Sequence, residues 1–212
     1  MSGASLCPTL CLVRHGALAP NPERRFVGAS DVPLSARGRQ QMATLARELS
    51  DLLCHPGLAA ILSSVLKRSQ ESACILKEHA RHLGRHDLPL LHDAAFNEIH
   101  LGQWEGLTPQ EVQANFPGQY EYRWQHFAHF CPEGGESFAR VQQRVLSALS
   151  HWQNRFLGKS LLLVAHAGVN RCVLADCLAL PLTAFANLGQ FLALPQGYAS
   201  FCCLETYLGR VP

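Results

Sequence analysis

No stretch of this 212-residue chain approaches the roughly 18 to 20 consecutive apolar residues that a membrane-spanning helix needs, so no membrane partner is expected. An excess of positive charge is missing too. Lys and Arg number 18 against 16 Asp and Glu, a net charge of +2 with no basic stripe, and a nucleic-acid partner is not expected either. CxxC pairs are absent, and the nine cysteines are odd in number and sit mostly inside apolar runs, which argues against a disulfide framework or a zinc ribbon. Thiols of that kind read as reduced and partly buried, in a cytoplasmic protein. The first dozen residues lack a basic leader. Internal repeats, low-complexity tracts and linkers are missing as well, so residues 1–212 are read as a single domain.

What is present is a 48% hydrophobic chain with only 16% charged residues, enough to bury a substantial core. Leu10 to Val13 and Leu161 to Ala165 read as buried strands, with shorter candidates at Ala59 to Leu62 and Leu88 to Leu91. Ser35 caps a helix whose apolar stripe runs through Met42, Leu45 and Leu49, and a second helix covers Val65 to about His82. Thr108 with Glu111 forms a capping-box pattern, and Ser137 or Glu136 opens a helix striped by Val141, Val145, Leu149 and Trp152. Val169 to Leu180 is the last helix. Phe191 to Leu194 and Ala199 to Glu205 read as closing strands that would form an antiparallel edge, and Phe116 to Gly135 reads as aromatic and irregular. Strands alternating with helices of this length predict an α/β fold, a three-layer αβα sandwich on a mostly parallel sheet.

The two clearest strands each end in a histidine followed within two residues by glycine: Arg14-His15-Gly16 and His166-Ala167-Gly168. As neighbours in a parallel sheet they would project both imidazoles into one crevice at the strands' carboxyl ends, where open α/β sheets place ligands. Arg14 stands beside the first, and Arg68 lies near the start of the helix that follows Ser63-Ser64. Two imidazoles and two guanidiniums form a pocket for a compact polyanion, most simply phosphate.

The order and spacing of further residues give the pocket a family. Besides Arg14-His15-Gly16 and His166-x-Gly168 these are Asn21; Gly28-x-x-Asp31-x-Pro33-Leu34-Ser35-x-x-Gly38; Ser63-Ser64-x-x-x-Arg68-x-x-x-x-Ala73; Glu98-x-x-x-Gly102-x-Trp104-Glu105-Gly106; and Gly134-Gly135-Glu136-Ser137. With them the chain resembles the histidine phosphatase, or phosphoglycerate mutase-like, superfamily over nearly its whole length. The resemblance implies that His15 is a nucleophile that becomes phosphorylated, that Arg14 and Arg68 bind phosphate with His166, and that Glu98 donates the proton to the leaving group. It places Asn21, Gly28 and Ala167 in the substrate-binding set. It implies no cofactor and no metal, a small-molecule phosphate ester as partner, and a monomer or homodimer. The physics agrees for His15: a nucleophilic imidazole must be neutral, and two adjacent cations favour its free base.

Two of these motifs depart from the family pattern. Ala17-Leu18 stands where Glu-Thr is common, and Ala165 and Ala167 flank His166 where Ser and Gly are common. Glu105, Glu133 and Glu136 are rivals to Glu98, and Lys67 is a rival to Arg68. Gly158-Lys159-Ser160 echoes a phosphate-binding loop but precedes a strand instead of following one, and His79, His82 and His86 read as a solvated helix end. The arrangement of Gly102 to Gly106 with Gly134 to Ser137 most resembles the α-ribazole phosphatase branch. A mutase resembles this chain less, because the segment from Phe116 to Cys131 carries one cation, Arg123, where mutases hold a second phosphate. The expected activity is thus a metal-independent phosphomonoesterase; a phosphotransferase of the mutase type and a weakly catalytic phospho-ligand-binding protein are the alternatives.

Overall fold

Along the first strand, β1 (Thr9–Arg14), successive side chains point to opposite faces, and both faces are apolar. Leu10 and Leu12 belong to one buried cluster while Cys11 and Val13 belong to another, which is what a strand covered by helices on both sides requires. The computed structural model describes residues 9–205; Cys7 lies outside them. After β1 come α1 (Ala36–Glu48), α2 (Ser50–Cys54), β2 (Leu58–Ser63), α3 (Lys67–His82) and β3 (Leu90–His92). The second half holds α4 (Pro109–Asn115), α5 (Gln119–His126), α6 (Phe138–Arg155), β4 (Ser160–Ala165), α7 (Ala167–Cys177), α8 (Leu188–Leu192) and β5 (Phe201–Glu205).

The strands lie in the order β3-β2-β4-β1-β5, parallel except for β5, which runs antiparallel to β1 at the edge. Helices α1 to α3 cover Val13, Ile61, Leu162 and Val164, and α6 to α8 cover Leu12, Leu62, Leu161 and Leu163, so the sandwich has three layers. Burying each such leucine contributes about 1.5–3 kcal/mol. The helix starts follow their caps: Ser35 accepts from the Gly38 amide, Thr108 and Glu111 close a reciprocal capping box, and Ser137 accepts from the Arg140 amide.

Two expectations are corrected. Phe191 to Leu194 is not a strand: Asn187 caps α8 by accepting from the Gln190 amide, and Phe191 is buried against Phe127 and Phe138. Four apolar residues carry no period by which helix and strand differ. The segment from Phe116 to Gly135 is not irregular throughout, because it contains α5; Gly118, at φ 75°, stands at the N-cap and offers no side-chain capping signal. β1 and β4 pair in parallel, Val13 opposite Val164 and Arg14 opposite Ala165. His15 and His166 therefore leave adjacent strand ends together.

Candidate active site

The ladder between β1 and β4 continues one residue past the strand, the His15 amide donating to the Ala165 carbonyl at 3.1 Å. This fixes His15 against the sheet, 4% exposed, with its ring 5.1 Å from that of His166 in an edge-on arrangement. Its Nδ1 lies 2.8 Å from the Gly16 carbonyl oxygen. A carbonyl only accepts, so Nδ1 carries the hydrogen and Nε2 keeps the lone pair. Burial, reinforced by Arg68 and Arg14, lowers the His15 imidazole to about 3 against the pull of the Gly16 carbonyl. At neutral pH it is an uncharged base.

His166 is fully buried and is held from both sides. Arg68 Nε donates to its Nδ1 at 3.2 Å, so the hydrogen of His166 is on Nε2 and goes to Ser64 Oγ at 2.8 Å. Burial, then His15 and the guanidiniums, push this imidazole well below its ordinary range. Arg68, itself 1% exposed, also donates to the carbonyls of Ser30 (2.6 Å) and Gly28 (2.7 Å). The loop that supplies them is clasped by Glu105, whose carboxylate accepts from the Ala29 amide (2.7 Å), the Ser30 hydroxyl (2.6 Å) and the Leu101 amide (3.1 Å). Gly28 has φ 50°, and a Cβ there would stand 2.4 Å from Glu105 Oε1. Gly28 thus positions Arg68 through its carbonyl, and Glu105 is a structural clasp.

Arg14 donates its Nη1 to the Gln196 carbonyl, and its Nε is buried with no acceptor among the described residues. Neither Arg14 nor Arg68 makes an ion pair among those residues. Burial lowers both guanidiniums from their ordinary value, with Glu98 acting against it. A buried cation and a partly buried one, neither with a paired carboxylate, leave a site that favours an anion.

Glu98 is held across the mouth of the same crevice. Its Oε1 accepts from the Ile99 amide at 3.0 Å and its Oε2 from the Gly168 amide, in the first turn of α7, at 3.1 Å. Glu136 does something else: it pairs with Arg144 through two contacts of 2.9 Å, and Arg144 donates to the carbonyls of Ala95 and Glu98, fixing the main chain on either side of the acid. Glu133 is exposed. Of the four carboxylates, Glu98 alone reaches the His166 strand end.

Not every expected residue converges. Asn21 is exposed, and its amide bonds the main chain of Arg25 in both directions, at 2.7 and 2.9 Å. Ala167 heads α7, so its amide belongs to the unpaired first turn of that helix. Lys67 turns outward onto Asp31 at 3.3 Å, and His79 bonds Ser50. Gly158, at φ 73°, only turns the chain into β4. Phe127, in the aromatic segment, is 2% exposed and stacks on Phe191. Sequence reasoning left the work of Ser64 unassigned although it stood within a quoted motif, and it missed Tyr198, whose ring lies 5.6 Å from that of His15. No motif or period marked that tyrosine.

Residues 10–210 match the family model described as histidine phosphatase superfamily (branch 1). The chain belongs to that superfamily. Among its relatives, 2,3-bisphosphoglycerate-dependent phosphoglycerate mutase 2 of Gloeobacter violaceus is 31% identical over 172 residues, 79% of this chain and 74% of that one. Adenosylcobalamin/α-ribazole phosphatase of Escherichia coli is 29% identical over 178 residues, 81% and 80% of the two chains. The native structure of a mycobacterial glucosyl-3-phosphoglycerate phosphatase matches with a TM-score of 0.75 at 29% identity, covering 93% of this chain and 89% of that one. This histidine phosphatase is an enzyme of the phosphatase type, on the phosphoglycerate mutase-like fold expected. Among the described residues no helix is long and apolar enough to cross a membrane.

Proposed function

We propose that this enzyme hydrolyses small phosphate monoesters in two steps through a phosphohistidine, without a metal ion. The observation that carries the reading is the neutral, buried His15, its Nε2 lone pair free, between the buried Arg68 and the partly buried Arg14, neither of which has a carboxylate of its own among the described residues. In the first step His15 Nε2 attacks phosphorus, the bond from phosphorus to the ester oxygen breaks, and that oxygen takes a proton from Glu98. Arg14 and Arg68 hold the equatorial oxygens and favour the charge that develops on them. His166 and Ser64 keep Arg68 aimed. In the second step Glu98, now ionised, takes a proton from water as the water attacks phosphorus; the phosphorus–nitrogen bond breaks, its electron pair returns to Nε2, and inorganic phosphate leaves.

Hydrolysis is favoured over mutase chemistry because Arg123 is the lone cation from Phe116 to Cys131 and lies over the rings of Trp104 and Phe138. The free thiols of Cys54, Cys74, Cys131, Cys172 and Cys177 support a cytoplasmic location. α-Ribazole phosphate is the first natural ester to assay, given the Escherichia coli relative. The test is turnover of 4-nitrophenyl phosphate in EDTA together with trapping of an acid-labile phosphoenzyme. Both should vanish in His15→Ala. Undiminished turnover in that variant, or full dependence on an added divalent metal, would overturn the reading.

A further inference from the structure

We infer that Tyr198 is a positioning and specificity-determining residue of this site: its ring carries the Arg14 guanidinium and walls an apolar cavity that receives the leaving group, selecting esters of uncharged, largely apolar alcohols and phenols. The inference rests on the phosphatase reading and adds the substrate class to it.

The segment before β5 is fastened to the nucleophile's strand end. Ser200 accepts the Arg14 amide at 3.0 Å, His15 accepts the Ala199 amide at 3.2 Å, and Gln196, whose carbonyl takes Arg14 Nη1, is buried and accepts from Asn170 Nδ2 at 2.9 Å. Tyr198 hangs from this clamped segment with its ring centroid 3.9 Å from the Arg14 guanidinium carbon. At that distance the ring face attracts the cation and restricts where the guanidinium plane can turn. Its hydroxyl bonds nothing among the described residues, so the ring is what matters.

The same ring is 43% exposed and faces a cavity of about 360 Å³ that Leu18, Pro20, Phe26, Val27 and Val32 also line. Ser30, whose carbonyl holds Arg68, lies on this wall too, so the cavity is bordered by a residue in contact with each guanidinium. Polar groups on its rim are already engaged: Arg25 pairs with Glu23 (2.6 Å) and Glu111 (3.0 Å), and Asn21 with the Arg25 main chain. Among the described residues that line it the one cation is Arg25, already paired with two carboxylates, so the wall favours an apolar group over a second phosphate or a carboxylate. Leu18, at the point where the Arg-His-Gly motif departs from its family, supplies apolar surface where a hydroxyl is common.

Tyr198→Phe and Tyr198→Ala, compared with the wild-type enzyme, separate the two roles. Measured are kcat/KM for 2-naphthyl phosphate and for glycerol 3-phosphate, and binding of orthovanadate by calorimetry. Tyr198→Phe keeps the ring and should retain most of the vanadate affinity and ester preference that Tyr198→Ala loses. Tyr198→Ala should bind vanadate roughly threefold to thirtyfold more weakly, as loss of a cation–π contact implies. Its preference for the naphthyl over the glycerol ester should also fall at least about tenfold, the scale for a lost apolar contact surface. Leu18→Asp, at another lining residue, should lower the naphthyl preference and leave vanadate affinity within twofold. A Tyr198→Ala enzyme that keeps both its ester preference and its vanadate affinity within twofold overturns the inference, as does a Phe variant as impaired as the Ala variant. If wild type binds vanadate but hydrolyses neither ester, the phosphatase reading fails, and with it the substrate class. The vanadate comparison then decides the support of Arg14 by itself.

Discussion

Glu98 and Gly168 share a space too small for a side chain on the second: the Gly168 amide reaches Glu98 Oε2 at 3.1 Å, and a Cβ on residue 168 would stand 2.4 Å from Oε1 and 3.2 Å from a Phe138 ring carbon. The glycine of the His166-x-Gly168 motif is therefore set by the acid as much as by the helix turn. Gly168→Ala should push the carboxylate out of line and lower kcat at least about tenfold, with little loss of stability, because the atom in the way is the free end of a flexible side chain and alanine is the better helix former. Inhibition by inorganic phosphate should stay within twofold, because Arg14 and Arg68 do not touch Gly168. Steady-state kinetics with urea denaturation checks both halves, and an unchanged kcat would mean that Glu98 is not the acid.

Glu105 makes the opposite prediction. It touches no catalytic side chain, yet it binds the loop whose Gly28 and Ser30 carbonyls aim Arg68. Glu105→Ala leaves the Ala29 and Leu101 amides without their acceptor and should cost about 1–3 kcal/mol of stability. Phosphate inhibition and KM should weaken severalfold as Arg68 loosens, with kcat less affected. Glu105→Gln keeps an acceptor oxygen and should recover part of each loss. Inhibition constants for phosphate across the three proteins provide the measurement.

How much of this could be read beforehand depends on whether a residue acts alone or through others. His15 and His166 were legible because two continuous apolar runs, Leu10 to Val13 and Leu161 to Ala165, each lead directly to a histidine, and buried parallel strands leave such runs. Ser35, Thr108 and Ser137 were legible because a cap is a local device. Glu105 was not, since its role lies in a clasp between loops far apart in sequence, and Asn21 was placed on a phosphate while its amide is engaged by Arg25 four residues on. The strand expected at Phe191 failed because its burial comes from Phe127, Phe138 and Phe185, a tertiary environment that no short window shows.

The buried histidines make stability depend on pH in a stated direction. His15 titrates near 3 in the folded chain and near 6.5 when unfolded, and His166 is also lowered. Between those values the unfolded state binds the proton that the native state refuses, so stability is complete above about 6.5 and is lost as pH falls. The slope from His15 approaches about 1.4 kcal/mol per pH unit well below 6.5. Urea denaturation at pH 7, 6 and 5, in phosphate-free buffer, should show this decline. His15→Gln should make it shallower, since that side chain takes no proton and only the share of His166 remains. An equal slope in the variant would mean that His15 is not held neutral by its surroundings.

Glu98→Gln separates the two duties assigned to this carboxyl. The term kcat/KM reports only the steps through phosphoryl transfer to His15, in which Glu98 gives a proton to the departing oxygen. A nitrophenolate leaves without much help and an alkoxide does not. The variant should therefore lose roughly 100-fold to 10,000-fold in kcat/KM on an alkyl phosphate and far less on 4-nitrophenyl phosphate. Hydrolysis of the phosphohistidine needs the same group as base whatever the ester was. In the variant that step becomes limiting for 4-nitrophenyl phosphate, so its kcat should fall although its kcat/KM does not, and a burst of nitrophenol equal to the enzyme concentration should precede slow turnover. Equal losses in kcat/KM on both esters would remove the proton from Glu98 and reassign it to a binding role, because a residue that only binds cannot sense the leaving group's basicity.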